Sequence, residues 1–161
     1  MSKQAIARIN QITREEWLAL RMHGIGGSDA AAACGLSKWN SPLMLWMEKL
    51  GKQPAKEAGE AAYWGTVMEP ILRQEFAKRT GLTVEEVPFM FQCKEHPYML
   101  ADVDGIVRET NGSVSLLEIK TAGSYAATDW ADGLPAEYYL QVQHYMAVLD
   151  LPKAYIAVLL G

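Results

Sequence analysis

Residues 99–122 read MLADVDGIVRETNGSVSLLEIKTA, and this stretch decides the fold. Asn111-Gly112 sits between two apolar-rich runs, the short-range signature of a β-hairpin. Asp104 closes the first run, and the second carries Glu118, Ile119 and Lys120. Strand side chains alternate between faces, so Glu118 and Lys120 point one way and Ile119 the other. Pairing of the two strands sets Asp104 beside Glu118. Two carboxylates and one ammonium then share one small patch of sheet.

Such a patch suits phosphodiester cleavage, which needs an activated water, neutralised phosphate charge and a stabilised leaving oxygen. A hard divalent cation supplies all three and prefers oxygen ligands. Asp104 and Glu118 are the candidate ligands, with the carbonyl of Ile119 beside them. Lys120 is placed to position the attacking water or to stabilise developing charge. A lone Glu-x-Lys is weak evidence, because surface strands often alternate acid and base. The competing reading is a structural salt bridge from Lys120 to Asp104 or Glu118. Leu116, Leu117 and Ile119 mark the strand as largely buried, where an unpaired charge is costly. The Asp-Gly one hairpin upstream adds to the catalytic reading.

Working outward, 161 residues suit one domain with a real core, 1–161, and the 50% hydrophobic and 21% charged composition is that of a globular chain. The net charge of -4 argues against a simple DNA-coating protein, yet leaves room for a nuclease with a locally basic cleft. Cys34 and Cys93 form no CxxC pair and are expected as buried free thiols in a reducing cytoplasm. No signal-peptide or membrane-span run is present, so the expectation is a soluble cytoplasmic protein with no membrane partner. The apolar run Ala154–Leu160 reads as a buried strand that stops at the chain end, which suggests a C-terminally truncated domain.

The remaining elements follow from caps and breakers. Residues 1–12 read as a loose lead-in. Thr13 caps a helix with Glu15 and Glu16 in its first turn, and Gly24 stops it. A glycine turn at 24–27 opens a short helix capped by Ser28 or Asp29. Ser41-Pro42 starts another helix, ended by Gly51. Residues 52–58 read as an exposed loop. A long helix from Gly59 to Thr80 is closed by Gly81, with a kink or break expected near Met68-Glu69 because of Pro70. Strand signals follow at 82–87 and 88–93, then the hairpin, a loop at 123–134, a helix from Pro135 to Asp150 and the last strand. This order predicts an α/β (α+β) fold with a small central mixed sheet flanked by helices, the last strand parallel to an earlier one.

Other residues are candidates for function. Ser28 and the preceding glycines can offer backbone N–H groups to a phosphate, with Arg21 close in sequence; an ordinary N-cap explains them equally well. Glu69 has apolar Tyr63, Trp64 and Val67 beside it, which suggests a face turned to the protein. Gln141 and Tyr145 are an i, i+4 pair on one helix face. His23, His96 and His144 are unclustered and weak as metal ligands. Lys38-Trp39-Asn40 is a basic-aromatic loop able to touch DNA, whereas Tyr138 and Tyr139 read as packing residues.

Five motifs in order resemble the YqaJ-type viral recombinase family, relatives of the phage lambda-type exonuclease in the PD-(D/E)XK nuclease superfamily. They are Gly24-Ile25-Gly26-Gly27-Ser28-Asp29, Trp64-Gly65 with Glu69-Pro70, Ala101-Asp102-Val103-Asp104-Gly105, Leu117-Glu118-Ile119-Lys120-Thr121 and Gln141-Val142-Gln143-His144-Tyr145. The resemblance implies a restriction-endonuclease-like core with Asp104, Glu118 and Lys120 as the superfamily's D, E and K. Val103 stands in place of the naming proline. Glu69 would complete a shell for Mg²⁺ or Mn²⁺ formed with Asp104, Glu118 and Ile119, and Gln141 and Tyr145 would match a Q-x-x-x-Y element. Arg21 and Ser28 would bind a 5′-phosphate, although Asp102 stands where a small hydroxyl residue would help. The implied activity is 5′-to-3′ exonuclease digestion of duplex DNA ends in a phage or prophage recombination system in a bacterial host. The implied partners are a single-strand annealing protein and further copies of the chain, as a homo-oligomer. An endonuclease or nickase with the same site, or a non-catalytic DNA-binding or assembly module, are the alternatives.

Overall fold

The computed structural model describes residues 3–53 and 59–161. In chain order the elements are β1 (Lys3–Arg8), α1 (Arg14–Met22), α2 (Gly27–Ala33), α3 (Pro42–Lys49), α4 (Glu60–Thr80), β2 (Thr83–Glu85), β3 (Phe89–Cys93), β4 (Leu100–Asp102), β5 (Gly105–Arg108), β6 (Val114–Ala122), α5 (Ala136–Leu149) and β7 (Ala154–Leu160). Short 3-10 segments occupy Ile9–Gln11 and Ser124–Trp130. The mixed helix-and-strand fold is as the sequence predicts. The chain forms two compact units, each drawn from three separated stretches. Most of the expected loop at 52–58 lies outside the described residues.

The first unit comprises Met1–Ala55, Pro88–Asp102 and Ala136–Asp150. Its sheet is antiparallel in the order β1-β3-β4. Residues 3–8 are therefore a strand and not a loose lead-in, paired from Lys3 with Cys93 to Arg8 with Phe89. No residue of β1 is fully buried, so the strand has no strong apolar alternation to announce it. Its order comes from backbone pairing with a segment far away in sequence. α1 carries the expected cap: Glu16 N–H donates to Thr13 Oγ1 at 3.2 Å and Thr13 N–H to Glu16 Oε2 at 2.7 Å. Ser41 Oγ accepts from Met44 N–H at the start of α3.

The glycine turn departs from expectation. The N-cap of α2 is Gly26, and Asp29 reaches back to accept its N–H at 2.9 Å. A glycine has no side chain with which to cap, so the acid at the third helical position supplies the acceptor. Residues on either side are held by backbone pairing, Ile25 N–H to the Tyr98 carbonyl and Leu100 N–H to the Ile25 carbonyl. A Cβ on Gly24 would lie 2.7 Å from the Tyr98 carbonyl oxygen, so this strand-like contact requires glycine there. Ala30, Ala31 and Ala32 of α2 are buried, as are Val142, Tyr145, Val148 and Leu149 of α5, and the two helices pack together. Cys93 is buried as expected, whereas Cys34 is exposed at the end of α2.

The second unit comprises Lys56–Val87, Val103–Pro135 and Leu151–Gly161. Its sheet runs β2-β5-β6-β7, antiparallel except for the parallel β6/β7 pair. This is the small mixed sheet that the sequence predicts, and the hairpin is its middle. Asn111 Oδ1 accepts from Ser113 N–H, and Gly112 takes the positive φ of 83° that the turn requires. α4 runs unbroken through Pro70, so of the expected kink or break the break does not occur. Leu72 and Phe76 beyond the proline pack against the buried Val107, Leu117 and Ile119, and this burial holds the helix together past one missing N–H. Gly81, at φ 71°, closes it. β7 is half-buried over its first four residues and exposed over its last three, not fully buried. It is an edge strand, which leaves one side without a neighbour. Among the described residues no helix is long and apolar enough to cross a membrane.

Leu117 has no exposed surface and anchors the second unit's core. Replacing it by alanine is expected to destabilise that unit by about 2–5 kcal/mol, read from urea denaturation.

Candidate active site

The acid patch forms in the second unit, and the hairpin register places it. Gly105 faces Leu117, so Asp104 extends the pairing towards Glu118. The Ile119 N–H donates to Asp104 Oδ2 at 2.7 Å, which fixes the orientation of that carboxylate. Odd-numbered Leu117 and Ile119 turn into the core, as alternation requires. Glu118 is 2% exposed, and Lys120 Nζ donates to its Oε1 at 2.5 Å. The ion pair of the competing structural reading is therefore present, and it lies inside the acid patch.

Glu69 comes to the same place from α4. A cavity of about 260 Å³ is lined by Ala62, Gly65, Thr66 and Glu69 of that helix and by Asp104, Ile119, Lys120 and Thr121. Glu118 is not among the lining residues. Burial, and after it the charge of Asp104, pushes the Glu69 carboxyl above its usual range, and Arg73 offsets only part of this. Arg73 pairs with Glu69 Oε1 one helical turn on, and its Nε donates to the Asp104 carbonyl at 2.9 Å. Sequence reading passed over Arg73, although the spacing Glu69-x-x-x-Arg73 on a helix was a usable signal. Tyr63, Trp64 and Val67 are exposed, so they do not bury Glu69 as their apolar character suggested.

The polar groups at the cavity are oxygens and one ammonium, a donor set suited to a hard cation. Among the described residues no three His, Cys, Asp or Glu side chains are grouped to hold a metal ion by themselves. A Mg²⁺-like ion fits such a site, because it commonly takes one or two carboxylates and completes its shell with water and substrate phosphate.

The first unit holds a second charged cluster. Arg21 donates to Ser28 Oγ at 2.9 Å and to Asp29 Oδ2 at 3.0 Å, and its Nη1 lies 3.8 Å from Asp102 Oδ1. Lys49 also donates to Asp29, at 2.8 Å. Burial alone would raise the Asp29 carboxyl, but Arg21, Lys49 and the Gly26 N–H outweigh it and hold it below its usual range. At Asp102 the balance is opposite: burial raises the carboxyl, and Arg21, the Trp17 N–H and Tyr145 offset only part. Arg21 and Ser28 are thus brought together as expected, but a phosphate would compete with two acids for the same guanidinium.

Gln141 and Tyr145 are buried on α5 in the first unit, with Tyr145 Oη 3.4 Å from Asp102 Oδ1. His144 Nε2 lies 3.0 Å from the Leu100 carbonyl, a structural contact. Trp39 is 78% exposed, as either a solvated loop or a DNA-contacting one would be. Tyr139 is exposed and not packed.

Known proteins share this sequence and fold. The model of the YqaJ-like viral recombinase domain matches residues 16–152. The chain is 40% identical over 162 residues to "Uncharacterized protein YqaJ" of Bacillus subtilis (strain 168), covering 98% of this chain and 50% of that protein. It thus spans about half the length of that curated relative. Its fold matches the crystal structure of the alkaline exonuclease LHK-Exo from Laribacter hongkongensis, with a TM-score of 0.71, 26% identity, and coverage of 91% of this chain and 74% of the other. The LHK-Exo complex with dAMP matches with a TM-score of 0.71 and 24% identity over 89% of this chain and 73% of that one, a likeness of fold.

Asp29 gives a test of the first cluster. Its folded pKa is depressed, so its contribution is complete above the unfolded carboxylate pKa and is lost as pH falls through the folded value. Asp29→Asn is expected to lower stability by about 3 kcal/mol at neutral pH. The gap to the wild type should close as a denaturation series is taken below the ordinary carboxylate range.

Proposed function

The chain belongs to the YqaJ-like viral recombinase domain family, and from that premise we propose that it is a metal-dependent deoxyribonuclease, a 5′-to-3′ exonuclease acting on duplex DNA ends. The observation that carries this reading is the Ile119 N–H bond to Asp104 Oδ2, which holds one carboxylate at a cavity shared with Glu69 and Lys120. The likeness to a protein named an alkaline exonuclease, at 26% identity, supports the same class of reaction.

In this reading Asp104 and Glu69, with the Ile119 carbonyl, offer oxygens to Mg²⁺ or Mn²⁺ at the cavity. Glu118, ion-paired with Lys120, would be a further ligand. Bound there, a divalent cation supplies an activated water and neutralises phosphate charge. Lys120 Nζ can donate a hydrogen bond to the attacking water's oxygen or to developing negative charge. Glu118 holds that ammonium in place. Arg21 and Ser28 serve as a phosphate contact only when the DNA displaces Asp29 or Asp102 from the guanidinium. By family resemblance Gln141 and Tyr145 match a Q-x-x-x-Y element. Self-association and a single-strand annealing partner, in a phage-type recombination system, belong to the same proposal.

The test uses an end-labelled linear duplex and a covalently closed circle, with Mg²⁺ or Mn²⁺. Wild type is expected to degrade the linear DNA and to stop when the metal is chelated. Asp104→Ala and Lys120→Ala are each expected to lose at least ~100-fold in rate. Failure of wild type to degrade DNA with either metal, or full activity in both variants, sinks the reading. A cut circle turns the assignment to an endonuclease or nickase.

A further inference from the structure

We propose that Arg73 is the positioning residue of the acid patch: one guanidinium ties the Glu69 carboxylate to the backbone of Asp104 and so sets the spacing that a bound cation needs. The inference rests on the nuclease reading above, since it concerns the same acids.

Three donors of Arg73 are committed in three directions. Nη2 bonds Glu69 Oε1, Nε donates to the Asp104 carbonyl at 2.9 Å, and Nη1 lies 3.5 Å from Glu86 Oε2. The side chain is 13% exposed, so the fork is largely shielded from water, whereas Glu86 at 66% is a solvent-side contact. A guanidinium is planar and its N–H directions are fixed relative to each other, so two groups bonded to it are fixed relative to each other too. Asp104 is then held at two atoms, its carbonyl by Arg73 and its carboxylate by the Ile119 N–H. Glu69 is held to the same fork. Close approach of β5 to β2 and to Arg73 is built into the backbone, because a Cβ on Gly105 would lie 3.1 Å from the Glu85 carbonyl oxygen and 3.8 Å from Arg73 Nε.

Electrostatics points the same way. Two carboxylates at one cavity repel, and without a cation between them the flexible Glu69 side chain is free to swing outward. Arg73 holds it in while leaving the acid lining the cavity. The opposite role, a guanidinium that competes with the metal for Glu69, makes the reverse forecast, and binding measurements separate the two. A lysine keeps the charge but has one nitrogen, so it cannot bond the Glu69 carboxylate and the Asp104 carbonyl in the fork geometry.

The experiment is titration calorimetry of the full chain with Mn²⁺ and no DNA, beside thermal melts of each variant. Arg73→Gln is expected to weaken Mn²⁺ binding on the order of 10- to 100-fold. Arg73→Lys should fall between it and wild type, and Glu86→Gln should match wild type. In a Glu69→Gln background, Arg73→Gln should add little, because the group it positions is already gone. In DNA degradation, the Mn²⁺ concentration for half-maximal rate should rise by more than the rate at saturating Mn²⁺ falls. Unchanged or tighter Mn²⁺ binding by Arg73→Gln, or full additivity with Glu69→Gln, overturns the proposal. Should Arg73→Gln melt below the assay temperature, wild-type affinity in Arg73→Lys overturns it equally. Wild type that binds no Mn²⁺ overturns the metal-site reading itself, which distinguishes the two failures.

Discussion

The amide of Ile119 donates to the carboxylate of Asp104 across the hairpin, and the placement of the second unit's acids depends on that bond. The bond exists in only one register. A slip by one residue would turn Glu118 and Lys120 into the core and bring Leu117 and Ile119 out of it. Burial prevents the slip: Leu117 and Ile119 pack with Val107 against Leu72 and Phe76 of the long helix. The same helix carries Glu69 to the cavity. Non-directional apolar packing thus fixes a directional polar arrangement, because alternation along a strand leaves no independent choice for the two faces.

Charge is managed differently in the two units. In the acid patch each acid has its own local compensation: Lys120 for Glu118, Arg73 for Glu69, a backbone N–H for Asp104. Oxygen donors still line open space there. In the first unit Arg21, Lys49, Asp29 and Asp102 face one another, and their donors and acceptors are spent internally. Under the proposed nuclease reading, the first arrangement is the one that would receive a cation. The second serves stability first, and any anion arriving at Arg21 must outbid carboxylates already in place.

Several elements were legible because their cause is local. The Thr13 capping box, the Ser41-Pro42 helix start, the Gly81 stop and the Asn111-Gly112 turn each depend on residues within a few positions. The misreadings share the opposite character. β1 is ordered by pairing with Phe89–Cys93, 81 to 90 positions on by the numbering of its partners. Pro70 is tolerated because the helix beyond it is anchored on a sheet not yet formed in any local sense. β7 reads as buried from its apolar residues, but its place at a sheet edge exposes its far end. Tyr63 and Trp64 look like core residues by type and stand in solvent.

The sequence by itself determined the hairpin, the shared face of Glu118 and Lys120, the helix limits other than the start of α2, and the motif order that places the chain in its family. Those follow from backbone periodicity and turn chemistry, which act over a few residues. Only the tertiary structure decided which cation serves which acid. Arg73 reaches the Asp104 carbonyl across 31 positions, and Lys49 reaches Asp29 across 20. Long side chains can reach many partners, and the choice among them is made by burial, which excludes water as a competitor only after the strands and helices have packed.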